Sequence, residues 1–460
     1  MRPVVTVEEM RAADKAALAE VDEAVLVERA GTALATHALA IMGGAYGRRV
    51  VVVAGKGNNG ADGKVAAEVL RRRGARVVVV DALDAPARIG PAGAVDLVVD
   101  AAFGTGFRGE YVAPSVPAGV PVLAADIPSG VDGDTGRACG EPLRADCTVT
   151  FAALKPGLLQ GDGPLLAGRV EVADIGIDIG RPRMALVEDA DVAASLPPRP
   201  RGAHKWVSAV AVVAGSPGMT GAAGLCAHAA YRAGAGMVRL GVPGASGGEL
   251  PSGEAVGVVL PEHAWADDAL AMAGRCKAIV VGPGLGRDPR TADALRVLVA
   301  GSPVPLVVDA DGLYALGSGA DAVRALASAR ATPVLTPHDG EFARLTGRDP
   351  GDDRIAETRR AAETLGAVVL RKGPTTVVAA PGSEVLLVTS GSPRLATAGT
   401  GDVLAGAIGA FVARGLAPLQ AAALAAHVHG AAAALGPSEG LVAGDLADLV
   451  GRWLSGARRG

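Results

Sequence analysis

The chain has 460 residues, too many for one hydrophobic core, so two or more domains are expected. Half of the residues are hydrophobic and only 3% are aromatic, while Gly (65) and Pro (30) fall between apolar runs; this excludes a disordered chain and predicts Ala, Val and Leu cores. A formal net charge of -4 and a pI near 6.0 leave no basic footprint, which argues against nucleic-acid binding.

Met1-Arg2-Pro3-Val4-Val5-Thr6 has no apolar signal-peptide core, so none is expected. Residues 7–40 have helical periodicity and lead into a βαβ unit: strand Arg49–Ala54, a Gly/Asn loop, helix Asp62–Arg73 and strand Arg76–Asp81. The apolar runs Val95–Asp100 and Pro121–Asp126 end in polar punctuation, the rhythm of a doubly wound parallel sheet that binds ligands beyond its carboxyl ends. Ser195–Arg201 is rich in Pro and Arg and reads as a linker. A second α/β series follows: strand Ser208–Ala214, helix 221–235, strand 237–242, then strands Ala278–Val281, Pro305–Asp309, Pro333–Thr336, Ala367–Arg371 and Thr376–Ala379, with final helices from about Asp402. The most apolar stretch, Ala405–Leu435, is interrupted by Arg414, Pro418, Gln420, His427 and His429, so it reads as buried helix and no membrane span is expected. Cys139, Cys147, Cys226 and Cys276 show no metal or disulfide spacing, and reduced cytoplasmic thiols are expected. Lysine is scarce beside arginine, which makes Lys56, Lys155, Lys205 and Lys372, each beside Gly, Pro or His, conspicuous.

Two glycine loops stand out. The first, Gly55-Lys56-Gly57-Asn58-Asn59-Gly60-Ala61-Asp62, joins a strand to a helix and suits an anion cradle, although an Asx-capped turn explains the same pattern. It fits the G-x-G-x-x-G expression, a weak signal; the paired Asn residues are more informative. Asp100 and Asp126 end two further strands, and Asn, Asp and Ser oxygens without His or Cys suit a hard cation. GKGNNGADG, DAAFGTGFRGE and DIPSGVDGDTG together closely resemble the N-terminal domain of the NAD(P)H-hydrate epimerase family over roughly the first 180 residues. The resemblance implies that Asn58, Asn59, Gly60, Ala61, Asp62, Gly104, Thr105, Gly106, Phe107, Arg108, Gly109, Glu110 and Asp126 contact the hydrated nicotinamide nucleotide. It implies Asn59, Asp100 and Ser129 as potassium ligands. Ala61 and Lys64 depart from the family pattern, and Ala61 crowds a phosphate unless its φ is ordinary. Asp126 is the expected proton shuttle for epimerisation.

The second loop, Gly399-Thr400-Gly401-Asp402, opens an apolar helix, where backbone amides stabilise a phosphoryl group and a carboxylate accepts the proton of an attacking hydroxyl. An N-cap Asp explains the carboxylate but not the two glycines. Lys372-Gly373-Pro374-Thr375-Thr376 can hold a nucleotide phosphate, and Pro and Gly flanks put His338 in a loop at the same sheet edge. With no G-x-x-x-x-G-K-[ST] motif, this is not a P-loop enzyme. The ordered motifs GPGLG (282–286), TPHDGE (336–341), RKGPTT (371–376) and AGTGDVLAG (398–406) resemble the ribokinase-like ADP/ATP-dependent NAD(P)H-hydrate dehydratase family over about residues 202–450. The opening segment Gly215–Ala223, with Arg232–Gly236, is similar to that family's as well. The resemblance implies that Lys372, Gly373, Pro374, Thr375, Thr376 and Gly401 contact the adenine nucleotide, and that Ala222, Gly284, His338 and Asp402 contact the hydrated cofactor. Asp402 is the implied base. Thr400 stands where Ser is more usual, and His204-Lys205-Trp206 lacks the Gly that usually follows His-Lys.

These resemblances imply an α/β chain with a Rossmann-like three-layer domain (1–194), a linker (195–203) and a ribokinase-like domain (204–460). They imply NADHX, NADPHX and ADP as ligands, with K⁺ for epimerisation and Mg²⁺ for ADP-dependent dehydration. A cytoplasmic homo-oligomer is expected. The alternative reading is a ribokinase-type vitamin or sugar kinase fused to a non-catalytic nucleotide-binding domain.

Overall fold

Runs of branched residues such as Arg49–Ala54 and Leu97–Ala101 form strands buried on both faces, as parallel sheets covered by helices require. The computed structural model describes residues 1–91, 93–251 and 253–457. The chain divides into two compact units, Arg2–Met184 and Ala185–Gly460. The division falls ten residues before the expected one. Val187 donates its N–H to the Leu387 carbonyl (2.9 Å), and helix Asp189–Ser195 packs on helix Pro418–Ala433, so this segment belongs with the second unit.

In the first unit a parallel sheet runs in the order Arg76–Asp81, Arg49–Ala54, Leu97–Ala101, Val122–Ala125, Cys147–Phe151, Arg169–Ala173. The chain leaves Arg49–Ala54 in one direction to reach Arg76–Asp81 and in the other to reach Leu97–Ala101. That is the topological switch point where such sheets open a crevice, and the Asn-rich loop lies there. The helical pattern of residues 7–40 resolves into two helices, Val7–Ala17 and Glu23–Met42, each with a side-chain cap, from Thr6 and Asp22. Glu23–Met42 is long and apolar enough, by length and composition, to cross a membrane. Here it packs on helix Asn58–Arg72, burying Leu34, Ala35 and Ala38 against Val50, Val52 and Leu70. Strands Cys147–Phe151 and Arg169–Ala173 were not anticipated, the first because its buried face includes Thr148 and Thr150.

In the second unit the strands run Val385–Val388, Thr376–Ala379, Val368–Arg371, Val334–Leu335, Leu306–Val308, Ala278–Val281, Ala209–Val213, Met237–Pro243, Val256–Leu260. The first three pair antiparallel and the rest are parallel. The apolar stretch 405–435 forms parts of two buried helices, Thr400–Ala413 and Pro418–Ala433. Small residues let the first of these sit close on helix Gly221–Arg232 and on the sheet: a methyl group at Gly406 would stand 2.2 Å from the Cys226 carbonyl oxygen, and one at Gly409 would stand 2.4 Å from Val280. A core of this kind needs few aromatic residues.

Candidate active sites

The first glycine loop is fixed by backbone contact. A methyl group at Gly55 would stand 1.9 Å from the Ala102 carbonyl oxygen, and one at Gly60 2.0 Å from that of Gly55, so both must be glycine. At Gly57, by contrast, a methyl group would meet nothing within 4 Å. The helix begins at Asn58 and not at Asp62, and its N-cap, Gly57, offers no side-chain acceptor. The Asx-capped turn is therefore absent. The first-turn amides meet no side-chain cap, as an anion-binding N-terminus requires. Ala61 does not have a positive φ, so its side chain imposes no backbone strain.

Above this turn lies a cavity of about 460 Å³ lined by Asn58, Asn59, Asp62, Gly104, Thr105, Gly106, Phe107 and Asp126. Helices Val7–Ala17 and Glu23–Met42 add Arg11, Asp14 and Glu23. Gly60, Ala61, Arg108, Gly109 and Glu110 do not line it. Asp100 lies at the end of its strand, 1% exposed. Ser129 donates its hydroxyl (2.6 Å) and its amide (2.9 Å) to the two Asp100 oxygens, and Phe103 N–H reaches the Ser129 hydroxyl at 2.8 Å. Burial raises the Asp100 carboxyl above its ordinary value against these hydrogen bonds. Asn59 keeps a buried Nδ2 without a partner. A buried Asp100 with no ion-pair partner among the described residues, bonded to Ser129, offers oxygen donors of the kind a hard cation takes.

Asp126 has φ 64°, a conformation unusual for a residue with a side chain. Its Oδ1 accepts from Lys155 Nζ (2.6 Å), Thr150 Oγ1 (3.0 Å) and Phe151 N (3.4 Å). Asp62 differs: burial, reinforced by the charge of Asp126, pushes its carboxyl up to about 8. One carboxylate is thus held in an ion pair while its neighbour keeps its proton at neutral pH, a division that suits acid–base work. Lys155 was conspicuous in the sequence but received no role there.

In the second unit, Gly399 caps helix Thr400–Ala413 with φ 91°, and a methyl group there would stand 2.7 Å from Leu225. A methyl group at Gly401 would lie 3.6 Å from both Asp309 Oδ2 and Lys372 Nζ. Lys372 Nζ bonds Asp309 Oδ1 at 2.9 Å and lies 3.7 Å from Glu341, while Thr336 Oγ1 donates to the same Asp309 oxygen at 2.6 Å. Burial opposes the charge on Lys372, but Asp309 and Glu341 outweigh it and raise the ammonium above its ordinary value. Burial, then Asp309, raises the Asp402 carboxyl to about 7 against the pull of Lys372. A carboxylate so tuned is a base matched to neutral pH.

A cavity of about 620 Å³ next to this cluster is lined by His338, Lys372, Gly373, Pro374, Thr376, Gly401, Leu404 and His429. Thr375 is buried, 4% exposed. Ala222, Gly284 and Asp402 do not line this cavity; Ala222 and Gly284 meet each other, with a methyl group at Gly284 only 3.2 Å from Ala222 Cβ. His338 caps helix Asp339–Thr346, its Nδ1 accepting from Gly340 N (3.1 Å) and Glu341 N (3.2 Å), which leaves only Nε2 for a ligand. His429, which the sequence showed only as an interruption of an apolar run, is buried and bonds the Thr400 carbonyl at 2.9 Å. Burial lowers it to about 4, so it is neutral. Among the described residues no three His, Cys, Asp or Glu side chains gather as a metal cluster.

The family described as NAD(P)H-hydrate dehydratase matches residues 210–454, and the YjeF-related protein N-terminus family matches residues 23–88 and 84–157. The bifunctional NAD(P)H-hydrate repair enzyme Nnr of Mycobacterium tuberculosis is 42% identical over 452 residues, covering 92% of each chain. Its counterpart in Moorella thermoacetica is 38% identical over 511 residues, covering 97% of this chain and 96% of its own. Among solved structures, a ribokinase-like superfamily protein from Enterococcus faecalis covers 62% of this chain and 99% of its own, with a TM-score of 0.54 and 22% identity, a likeness of fold. With such identity over nearly the whole chain, the protein belongs to the bifunctional NAD(P)H-hydrate repair enzyme family, joining an epimerase-type unit to a dehydratase-type unit.

Proposed function

We propose that the first unit interconverts (R)- and (S)-NAD(P)HX and that the second converts the S epimer to NAD(P)H at the expense of ADP. The observation that carries the reading is the pair of glycine-opened helix N-termini, each with a cavity beside it: Asp62 and Asp126 line the first, and Asp402 stands in the first turn of the helix at the second. In the first, Asn58, Asn59, Asp62 and the Gly104–Phe107 segment, which line the cavity, hold the nucleotide. Asp126 takes and returns the proton that accompanies reversible opening at ring carbon 6, and Asp62, protonated at neutral pH, supplies the complementary acid. Asn59, Asp100 and Ser129 are the residues for potassium. Bound there, the ion would supply positive charge to a carboxylate that burial otherwise disfavours in its ionised form.

In the second unit, Lys372–Thr376 and Gly401 hold the adenine nucleotide, and Ala222, Gly284 and His338 hold the hydrated cofactor. Asp402 accepts the 6-hydroxyl proton as that oxygen attacks the β-phosphorus of ADP, and AMP departs. Inorganic phosphate then leaves carbon 6 as the adjacent ring carbon gives up a proton to water, restoring the double bond. Mg²⁺ would be held mainly by substrate phosphates and water, with one or two carboxylates. Asp309 and Glu341, beside Lys372, are the carboxylates within reach of such an ion. The unpaired state of Cys139, Cys147, Cys226 and Cys276 is compatible with a cytoplasmic setting, and self-association is a matter for light scattering. Separate assays on the full chain test the division of labour. Asp126→Asn should abolish epimerisation and spare dehydration, and Asp402→Ala should do the reverse. Either variant retaining its assigned activity refutes that assignment.

A further inference from the structure

Lys155 is the most deeply buried cation of the first unit, 1% exposed, on a chain that uses lysine sparingly. An ammonium has three donors. All three are spent: on Asp126 Oδ1 (2.6 Å), Thr150 Oγ1 (2.9 Å) and the Phe151 carbonyl (2.8 Å). Thr150 accepts from Lys155 and donates its own hydroxyl to the same Asp126 oxygen at 3.0 Å. Asp126 Oδ1 is therefore saturated by three donors, whereas no hydrogen bond among the described residues reaches Oδ2. That free oxygen lies near Gly104, where a methyl group would stand 3.7 Å away, on the cavity side of the carboxylate.

A lysine buried only for stability costs desolvation that apolar packing avoids, so its place beside the reacting carboxylate calls for another reason. We infer that Lys155, with Thr150, is the positioning device of the epimerase unit: it anchors Asp126 through Oδ1 so that Oδ2 is the oxygen that handles the substrate proton. The inference rests on the epimerase reading of this unit. The positive φ of Asp126 is held from two sides, by its N–H on the Val149 carbonyl (2.7 Å) and by this side-chain anchor. Other charges face the pair. Asp14 from helix Val7–Ala17 feels both Lys155 and Asp126, and Asp62 feels Asp126, with Arg11 and Glu23 on the same cavity wall. Removing Lys155 leaves Asp126 and Asp14 without their buried cationic neighbour.

The test uses the full chain, with its dehydratase activity on (S)-NADHX as the internal control. Lys155→Met should lower epimerisation kcat by about 10²-fold or more, with KM changed less than about threefold. The acid limb of its pH profile should move to higher pH, because the cation that favours ionised carboxylates is gone. Small alkylammonium ions should partly restore Lys155→Ala. A Lys155→Met enzyme with wild-type kcat and an unmoved acid limb overturns the inference. Should that variant lose the fold of its first unit, Thr150→Val, a near-isosteric change, decides: a loss near tenfold with the limb moved up supports the inference, and an unmoved limb overturns it. An inactive wild type would instead remove the epimerase reading itself, and an active Asp126→Asn variant would remove the role of Asp126 that the inference builds on. Active wild type, inactive Asp126→Asn and unaltered Lys155→Met remove only the role of Lys155.

Discussion

The ionisation of Asp402 gives a prediction whose size and direction follow from its surroundings. Burial and the charge of Asp309 raise this carboxyl to about 7, with Lys372 opposing them and Asp311 adding a smaller push. A base of that strength is about half ionised at pH 7 and about one-tenth ionised at pH 6. Single-turnover dehydration at saturating ADP should therefore fall about fivefold between those values and about tenfold more by pH 5. Two substitutions should move this limb in opposite directions. Lys372→Met removes the opposing cation and shifts the limb up, whereas Asp309→Asn removes the nearest like charge and shifts it down, each by about one unit or more for a partly buried site. Stopped-flow recovery of reduced-nicotinamide absorbance reads both, with kcat separated from the weakened ADP binding expected of Lys372→Met. Stability should follow the same group. A carboxyl raised in the folded state contributes stability at low pH that is lost as pH rises from about 4 to about 7, and Asp402→Asn should flatten that part of the Tm profile. A limb that neither substitution moves, or an Asp402→Asn enzyme with normal turnover, refutes the assignment of Asp402 as base.

Three further outcomes follow from contacts. Gly60→Ala forces a methyl group against the Gly55 carbonyl and should destabilise the first unit by about 1–3 kcal/mol; an unchanged denaturation midpoint would contradict the close approach. Ser129→Ala deprives the buried Asp100 of its hydroxyl donor and should weaken activation by potassium, with sodium and potassium titrations of epimerisation as the readout. His429→Phe removes the bond to the Thr400 carbonyl and should raise the KM for ADP severalfold, measured in the dehydratase assay with epimerisation unchanged.

The parallel-sheet rhythm was legible because buried strands are runs of branched residues bounded by turn chemistry. Thus Arg49–Ala54, Ala278–Val281 and Thr376–Ala379 are strands over the same residues that the pattern marks. Helix starts were less legible. Asp62 looks like a cap, but the turn begins at Gly57 because Gly55 and Gly60 pack backbone on backbone, a tertiary fact without a local signature. The same limit hid Lys155. Its partner Asp126 lies 29 residues away, and only the crossover from Val122–Ala125 to Cys147–Phe151 brings them together. Asp309 and Glu341 were hidden likewise, as ordinary carboxylates until the folded sheet sets Lys372 beside them. His429 was readable only as a polar interruption, because what matters is a carbonyl on the neighbouring helix.

The central claim, one damaged cofactor processed by two sites on one chain, is tested most directly by a single assay. The intact protein is given an equilibrium mixture of (R)- and (S)-NADHX with excess ADP, K⁺ and Mg²⁺, and recovery of NADH is followed to completion. Complete recovery by the wild type, with Asp126→Asn stopping at the S share alone, is the predicted result. Wild-type recovery that stops at the S share, or no ADP-dependent recovery at all, would contradict it.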